Sequence, residues 1–281
     1  IFPMALTRFS ERFVYVPSAA YCILLAYLIF ILSDRVKFYW LGWGLSLVLT
    51  VSFISVTLTG QRIWTDNITF WTFVVDKNPS YIAPRINLGD ALREGRETDE
   101  AIEQYGIAWG PGMSGNLKAK TSAAHSLGVL YIDKGNYPEA EKWFKMAYDI
   151  NDSYATQYYF HLGYISLRRN DAAAAESYLK KSIEHDDTNV KAYYLLGALY
   201  GTKGGIENSD EYYRLAEKYL SEAVSLRGYF PEAHLQLANA YLNTGNLEKA
   251  LEHANYAYAQ APNPEISKQA KAIIDYLNAE R

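Results

Sequence analysis

The sequence predicts an all-α protein: a two-helix transmembrane hairpin followed by an α-solenoid of stacked helix pairs. Three observations predict it. Residues 13–33 and 38–61 are two runs without a charge, each longer than the roughly 20 residues that cross a bilayer core of about 30 Å. From Ile82 onward one pattern recurs, a Leu-Gly or Leu-Ala pair followed about twelve residues later by an alanine. Finally, the second half of the chain alternates small and large residues at helical spacing, with few strand-like runs.

The recurring pattern fixes the architecture. Its anchors are Leu88-Gly89, Leu127-Gly128, Leu162-Gly163, Leu196-Gly197 and Leu237-Ala238, and its alanines are Ala101, Ala140, Ala175, Ala216 and Ala250. From Gly128 to Gly163 to Gly197 the spacing is 35 and then 34 residues. A period near 34 with this alternation resembles the tetratricopeptide (TPR) repeat, two antiparallel helices per unit. The small residue after each Leu and the Ala opening each second helix are expected where the two helices cross, because a larger side chain would push them apart. Tyr131, Tyr200 and Tyr241, with Tyr105, Phe144, Leu179 and Leu220 from the second helices, are expected to fill the space between one pair and the next. One pair cannot bury its apolar face alone, so stability is expected from stacking.

Composition narrows the partners. The net charge is −4, split between residues 1–75, with five Lys/Arg against three Asp/Glu, and the remainder, with 22 against 28. No basic block is present, which argues against nucleic acid. The single cysteine, Cys22, allows no internal disulfide. The opening Ile-Phe-Pro-Met, with no charged n-region before an apolar core, reads as part of a longer protein rather than a signal peptide.

In chain order, residues 1–62 form the membrane segment, with helices over about 13–33 and 38–60. Tyr15, Tyr39, Trp40, Trp43 and Trp64 lie near the ends of the spans, where amphipathic rings favour the interface. The linker 33–37 has room only for a tight hairpin. Arg35 and Lys37 at its tip balance Arg8, Arg12 and Arg62 on the other side, so charge counting does not orient it. Residues 63–81 are a junction half repeat, with Asp66 or Asn67 as the N-cap of a helix through about Lys77, expected to cover the apolar end of the array. Asn67-Ile68-Thr69 matches a glycosylation acceptor, a tripeptide common by chance. Residues 82–264 carry five repeats, at about 82–115, 121–154, 156–189, 190–230 and 231–264. The glycine-rich insertion 110–115 and the extra residues 203–210 read as surface loops. Residues 265–281 form a capping helix with Ile266, Ala270, Ile273, Ile274 and Leu277 on one face.

No catalytic constellation, metal-ligand spacing or cofactor motif is present. His125, His161 and His234 fall on first helices of different repeats and read as solvated or groove-lining. Position along the first helices nominates Asn87, Asp90, His125, Phe160, Tyr164, Tyr194, Gln236 and Asn239 as a concave peptide groove, polar amides and rings that can hold an extended backbone. The competing reading is that these are ordinary solvent-facing helix residues. Glu11 and Arg12, with Arg8 one turn earlier, stand at the mouth of the first apolar run. An arginine there suits a lipid-linked phosphate, and the pair equally suits a structural ion pair that anchors the helix.

Glu-Arg-Phe-Val-Tyr-Val-Pro-Ser at 11–18 and the junction from Arg62 through Trp71 to Asn78-Pro79 resemble multi-spanning transmembrane-and-TPR proteins, similar to GT-C type protein O-mannosyltransferases and their bacterial relatives. The resemblance implies an integral membrane protein with the array outside the cytoplasm, in the periplasm or the ER lumen, and a polyprenyl-phosphate sugar as donor. It also implies that this chain is the non-catalytic C-terminal portion, with Glu11 and Arg12 alone carried over as donor-site or structural residues. The alternative from the residues themselves is a membrane-tethered TPR adaptor without enzymatic activity.

Overall fold

A computed structural model describes residues 24, 27–31, 39–63 and 65–279. The chain divides into two compact units, 1–77 and 78–281.

In the first unit, residues 27–31 are helical and α1 spans Tyr39–Ile63. The Phe30 and Trp43 rings meet edge to face at 6.3 Å, so the two apolar segments touch. Along α1, Trp40, Trp43, Leu47, Val48, Val51 and Ile54 are exposed along one broad face, and Leu45 and Leu49 carry exposed apolar surface further round the helix. Among the described residues, however, no helix is long and apolar enough to cross a membrane. The second predicted span, 38–60, is therefore not borne out as a membrane-crossing helix among the described residues. The first lies mostly outside the described residues, and the side chains at 41, 42, 53 and 56–62 of α1 do too. The hairpin linker 33–37 is likewise outside them. The helix α2, Asn67–Lys77, starts where the sequence expects. Asp66 caps it, its Oδ1 accepting from Thr69 N at 2.8 Å and its Oδ2 from the Thr69 hydroxyl at 2.7 Å.

The second unit is built from helix pairs: α3 (Ile82–Glu94) with α4 (Thr98–Trp109), α5 (Leu117–Asp133) with α6 (Tyr137–Ile150), α7 (Ala155–Arg168) with α8 (Ala172–His185), α9 (Val190–Glu207) with α10 (Asp210–Leu226), and α11 (Pro231–Asn243) with α12 (Leu247–Ala259). The closing helix, α13 (Pro264–Ala279), buries Ile266, Ala270, Ile273 and Leu277. Among the described residues there is no strand, only an isolated bridge between Tyr81 and Ser114.

Glycine explains how each pair closes. A Cβ on Gly128 would lie 2.6 Å from Phe144, on Gly163 2.7 Å from Leu179, on Gly197 2.6 Å from Leu220, and on Gly89 2.8 Å from Tyr105. Each glycine therefore receives the large side chain of its own repeat's second helix, one turn past the conserved-register alanine. This corrects the expectation that Tyr105, Phe144, Leu179 and Leu220 mainly fill gaps between repeats. The repeat alanines are fully buried, and Ala216 faces Gly201, one turn beyond Gly197. In the fifth repeat Ala238 replaces the glycine, and the residue four after Ala250 is Ala254 instead of a large group. Both are fully buried, so the added methyl on one side is offset by lost volume on the other.

The chain reverses inside the pairs by the same device. Arg96, Gly135, Asn170 and Gly245 have φ of 67°, 73°, 59° and 80°, and Asn136, Asp171 and Asn246 cap the helices that follow. The fourth pair differs. Residues 203–207, expected in a loop, continue α9, which ends at Asn208 in the left-handed region. Gly204 is buried there, where a Cβ would meet the Tyr213 ring at 3.0 Å. The 110–115 insertion is a turn rather than a free loop, since Ser114 N donates to Ser80 O and Ile82 N to Ser114 O.

Successive pairs are clamped by one recurring contact. Lys134 Nζ donates to Asp99 at 2.6 Å, Arg169 Nη1 to Glu141 at 2.6 Å, Lys203 Nζ to Glu176 at 2.7 Å, and the Thr244 hydroxyl to Glu217. In each case a residue near or just past the C-terminal end of a first helix reaches the second helix of the preceding pair. First helices also touch one another directly, at α3/α5 and α9/α11, with no comparable contact between second helices. The array therefore curves with its first helices on the inner side.

Phe144 is fully buried and cannot swing away from a new methyl group. Gly128→Ala should destabilise the protein by about 1–3 kcal/mol despite the better helix propensity of alanine. Gly201→Ala, whose Cβ would meet Ala216 at an ordinary 3.9 Å, should stabilise it by up to about 1 kcal/mol. Urea denaturation of the two variants beside the parent checks both signs.

Candidate functional site

The inner face carries the residues nominated from sequence, and the structure sorts them into two groups. Asp90 accepts a 2.6 Å hydrogen bond from the Tyr105 hydroxyl and lies 3.7 Å from Arg93, so it braces its own repeat. Burial, then the Asp90 carboxylate, push the Tyr105 phenol well above its ordinary range. Phe160 and Tyr194 are half-buried, packed against the core, with the Tyr194 ring 4.9 Å from Phe230. Tyr164 is half-buried, its hydroxyl accepting from Arg168 at 3.1 Å. Asn87, Gln236 and Asn239 are half-buried, and the Asn239 carbonyl accepts from the Asn243 amide at 2.8 Å. The remaining four nominated residues, Asn87, Tyr164, Gln236 and Asn239, are half-buried on first helices.

His125 belongs to neither solvent nor groove. Its Nε2 lies 3.1 Å from His161 Nε2, and the His161 ring lies flat on Phe144 at 4.1 Å. The contact joins the second repeat to the third. Two imidazole nitrogens at this distance need one proton between them, so one ring donates and the other accepts. Burial, then His125, hold His161 down at about 3, and burial lowers His125 as well. A second pair, His234 Nδ1 to His253 Nδ1 at 2.8 Å, lies within the fifth repeat, with burial, then His253, holding His234 at about 4. The sequence reading of scattered, solvated histidines is corrected here. Two of these four histidines come from successive first helices, and the other two from one pair, so only the fold makes them neighbours. Among the described residues no three potential ligands gather to hold a metal ion.

Glu11 and Arg12 lie outside the described residues, and the lipid-phosphate reading gains no geometry from the fold.

One cavity stands apart from the inner-face residues. A cleft of about 530 Å³ opens between α6, α7 and α8, lined among others by Glu141, Lys145, Leu162, Ser166, Arg169 and Tyr178. Sequence reasoning missed it. The available signal was Ser166, standing where the second, fourth and fifth repeats carry Tyr131, Tyr200 and Tyr241.

The helix pairs, the glycine contact and the curvature define a tetratricopeptide solenoid. Residues 121–151, 156–189, 190–219 and 231–264 match family models of the tetratricopeptide repeat. The chain is 28% identical to the human antiviral innate immune response effector IFIT1 over 184 residues, which are 54% of this chain and 38% of that protein. It spans well under half the length of the curated relatives it matches. In fold it is similar to Pseudomonas aeruginosa PilF (TM-score 0.59, 16% identity, 83% of this chain and 95% of that one) and to yeast Tom70 (TM-score 0.61, 14% identity, 76% and 43%). None of these is named as a glycosyltransferase.

Folded His161 stays neutral down to about pH 3, whereas an unfolded histidine takes up its proton near pH 6.5. Between those values the unfolded chain binds more protons, so the pair contributes nothing unfavourable above pH 7 and lowers stability as the pH falls from 6.5 towards 3. His161→Phe, which keeps the stack on Phe144, should reduce this acid sensitivity. The urea midpoints of parent and variant at pH 7.5 and pH 5 measure it.

Proposed function

We propose that the array is a protein-interaction scaffold whose inner, first-helix face holds an extended segment of a partner polypeptide. The observation that carries this reading is the curvature. First helices meet at α3/α5 and α9/α11, and Asn87, Tyr164, Gln236 and Asn239 all stand half-buried on first helices. Side-chain amides and a phenol in the first, third and fifth repeats can pair with backbone groups of an extended chain without reading its sequence closely. No residue of this face forms a nucleophile–base pair or a metal cluster, so the reading is of binding rather than catalysis. A peptide library displayed on phage, selected against the protein, provides the ligand for the test. Tyr164→Ala with Asn239→Ala should weaken the selected peptides at least tenfold, and Lys218→Ala, on a second helix, should not. Equal binding to both variants would remove the inner face as the site.

We also propose that α1 is lodged in lipid. Its exposed tryptophans and aliphatic side chains extend well beyond a single narrow stripe, and the sequence from 38 to 61 holds no charge. A helix of this kind in water would leave a run of large apolar side chains wet, and contiguous exposed patches of that sort mark interaction or membrane surfaces. The array would then stand beside a membrane surface, extracytoplasmic if the family resemblance of residues 11–18 is followed. In that case the chain would present acceptor polypeptide to a polyprenyl-phosphate-sugar transferase. Purified protein should float with phosphatidylcholine vesicles and resist extraction by 1 M NaCl. Monodisperse behaviour without detergent would count against lodging in lipid.

A further inference from the structure

Three positions after its Leu-Gly or Leu-Ala pair, each repeat carries Leu92, Tyr131, Ser166, Tyr200 or Tyr241 in turn. The fourth repeat shows what that position does. Tyr200 is 2% exposed, and its hydroxyl donates to Glu176 Oε1 of the preceding repeat at 2.8 Å. Its ring lies 5.8 Å from Lys180 Nζ and 5.6 Å from Lys203 Nζ, and stacks on Tyr219 at 5.5 Å. Glu176 collects Lys180 at 2.8 Å and Lys203 at 2.7 Å as well. Burial pushes this carboxyl up, and the three hydrogen bonds outweigh it and hold it at about 2.

The third repeat has the same walls without the ring. Glu141 and Glu176 each follow the repeat alanine, Lys145 and Lys180 come four residues later, and Arg169 and Lys203 come three after Ser166 and Tyr200. Tyr178 and Tyr219 each precede the leucine that covers the repeat glycine. All four residues of this set, Glu141, Lys145, Arg169 and Tyr178, line the 530 Å³ cleft, and Ser166 forms part of its wall. Two differences from the filled slot follow the missing phenol. Glu141 holds one cation, Arg169, where Glu176 holds two and a hydroxyl, and Lys145 turns to Asp149 at 2.7 Å. The carboxylate keeps lone pairs free to accept another donor.

We propose that this cleft receives a tyrosine side chain from a polypeptide partner, its hydroxyl donating to Glu141 and its ring lying between Lys145 and Arg169 over Tyr178. The molecule itself supplies the argument for the occupant, because it fills the equivalent slot with its own Tyr200. The volume takes a phenol ring with part of its flanking backbone, within the range of ordinary ligand sites. No residue of the cleft belongs to the inner-face groove, so this site and that one stand or fall separately.

The test is a titration of the whole protein with N-acetyl-L-tyrosinamide, followed by NMR, beside N-acetyl-L-phenylalaninamide. Saturable shifts at Leu162 and Ser166 are expected, with the phenylalanine analogue about tenfold weaker for want of the hydroxyl. Ser166→Tyr should fill the slot from within, raise the thermal midpoint and abolish the shifts, while Ser166→Ala keeps them. Should Ser166→Tyr fail to fold, Glu141→Ala serves instead, and it should erase the difference between the two analogues. Absence of saturable shifts in the parent overturns the proposal. So does unchanged binding by folded Ser166→Tyr, or a tyrosine preference that survives Glu141→Ala.

Discussion

The array depends on the absence of one carbon atom. In four repeats a glycine on the first helix lets a buried Tyr, Phe or Leu of the second helix approach to where a Cβ would sit at 2.6–2.8 Å. That approach sets the distance between the helices of each pair, and through it the surfaces that successive pairs offer each other. Dispersion falls steeply with separation, so a helix pair propped open by one methyl group would lose contacts along its whole length. The fifth repeat keeps the total volume by another route, Ala238 with Ala254, and so shows that the constraint is on summed size rather than on glycine itself.

Contacts between repeats are chemically different from those within them. Within a pair the interface is mostly apolar, with the Tyr105–Asp90 and His234–His253 contacts as polar additions. Between pairs it is a mixture of aromatic rings and the repeated cation-to-carboxylate reach from a first helix back to the preceding second helix. Single exposed ion pairs of this kind contribute little, on the order of 0.2–1 kcal/mol each. Their value lies in register, since each can form only when the pairs are stacked with the correct offset. An array held this way tolerates substitution at one junction without disturbing the next. The third repeat uses that tolerance. It keeps the Arg169–Glu141 reach, gives up the ring and leaves a cleft.

The neutral histidine pairs add a condition on pH. His125 and His161 sit at the second junction, His161 stacked on and His125 edge-on to the same Phe144 whose ring covers Gly128. A proton arriving there would place a charge among rings at the contact that fixes both the pair and the junction. Acid should therefore weaken this junction.

Much of the fold was legible from residues alone. Gly128, Gly163 and Gly197 at spacings of 35 and 34, with alanines at fixed distance, sufficed for helix pairs, and Ile266, Ala270, Ile273 and Leu277 for the closing helix. These signals are local, since helical periodicity puts such residues on one face whatever lies elsewhere. The candidate site was less legible. Of the eight residues nominated for the groove, Asp90, His125, Phe160 and Tyr194 proved committed to neighbours, because a first-helix position says which side a residue faces and not what occupies that side. Only the tertiary structure decided which residue each glycine receives, that His125 meets His161, that residues 203–207 extend a helix, and that Ser166 leaves a cleft. Each of these depends on side chains from different helices meeting in space, and a repeat read along the chain carries no measure of the distance between them.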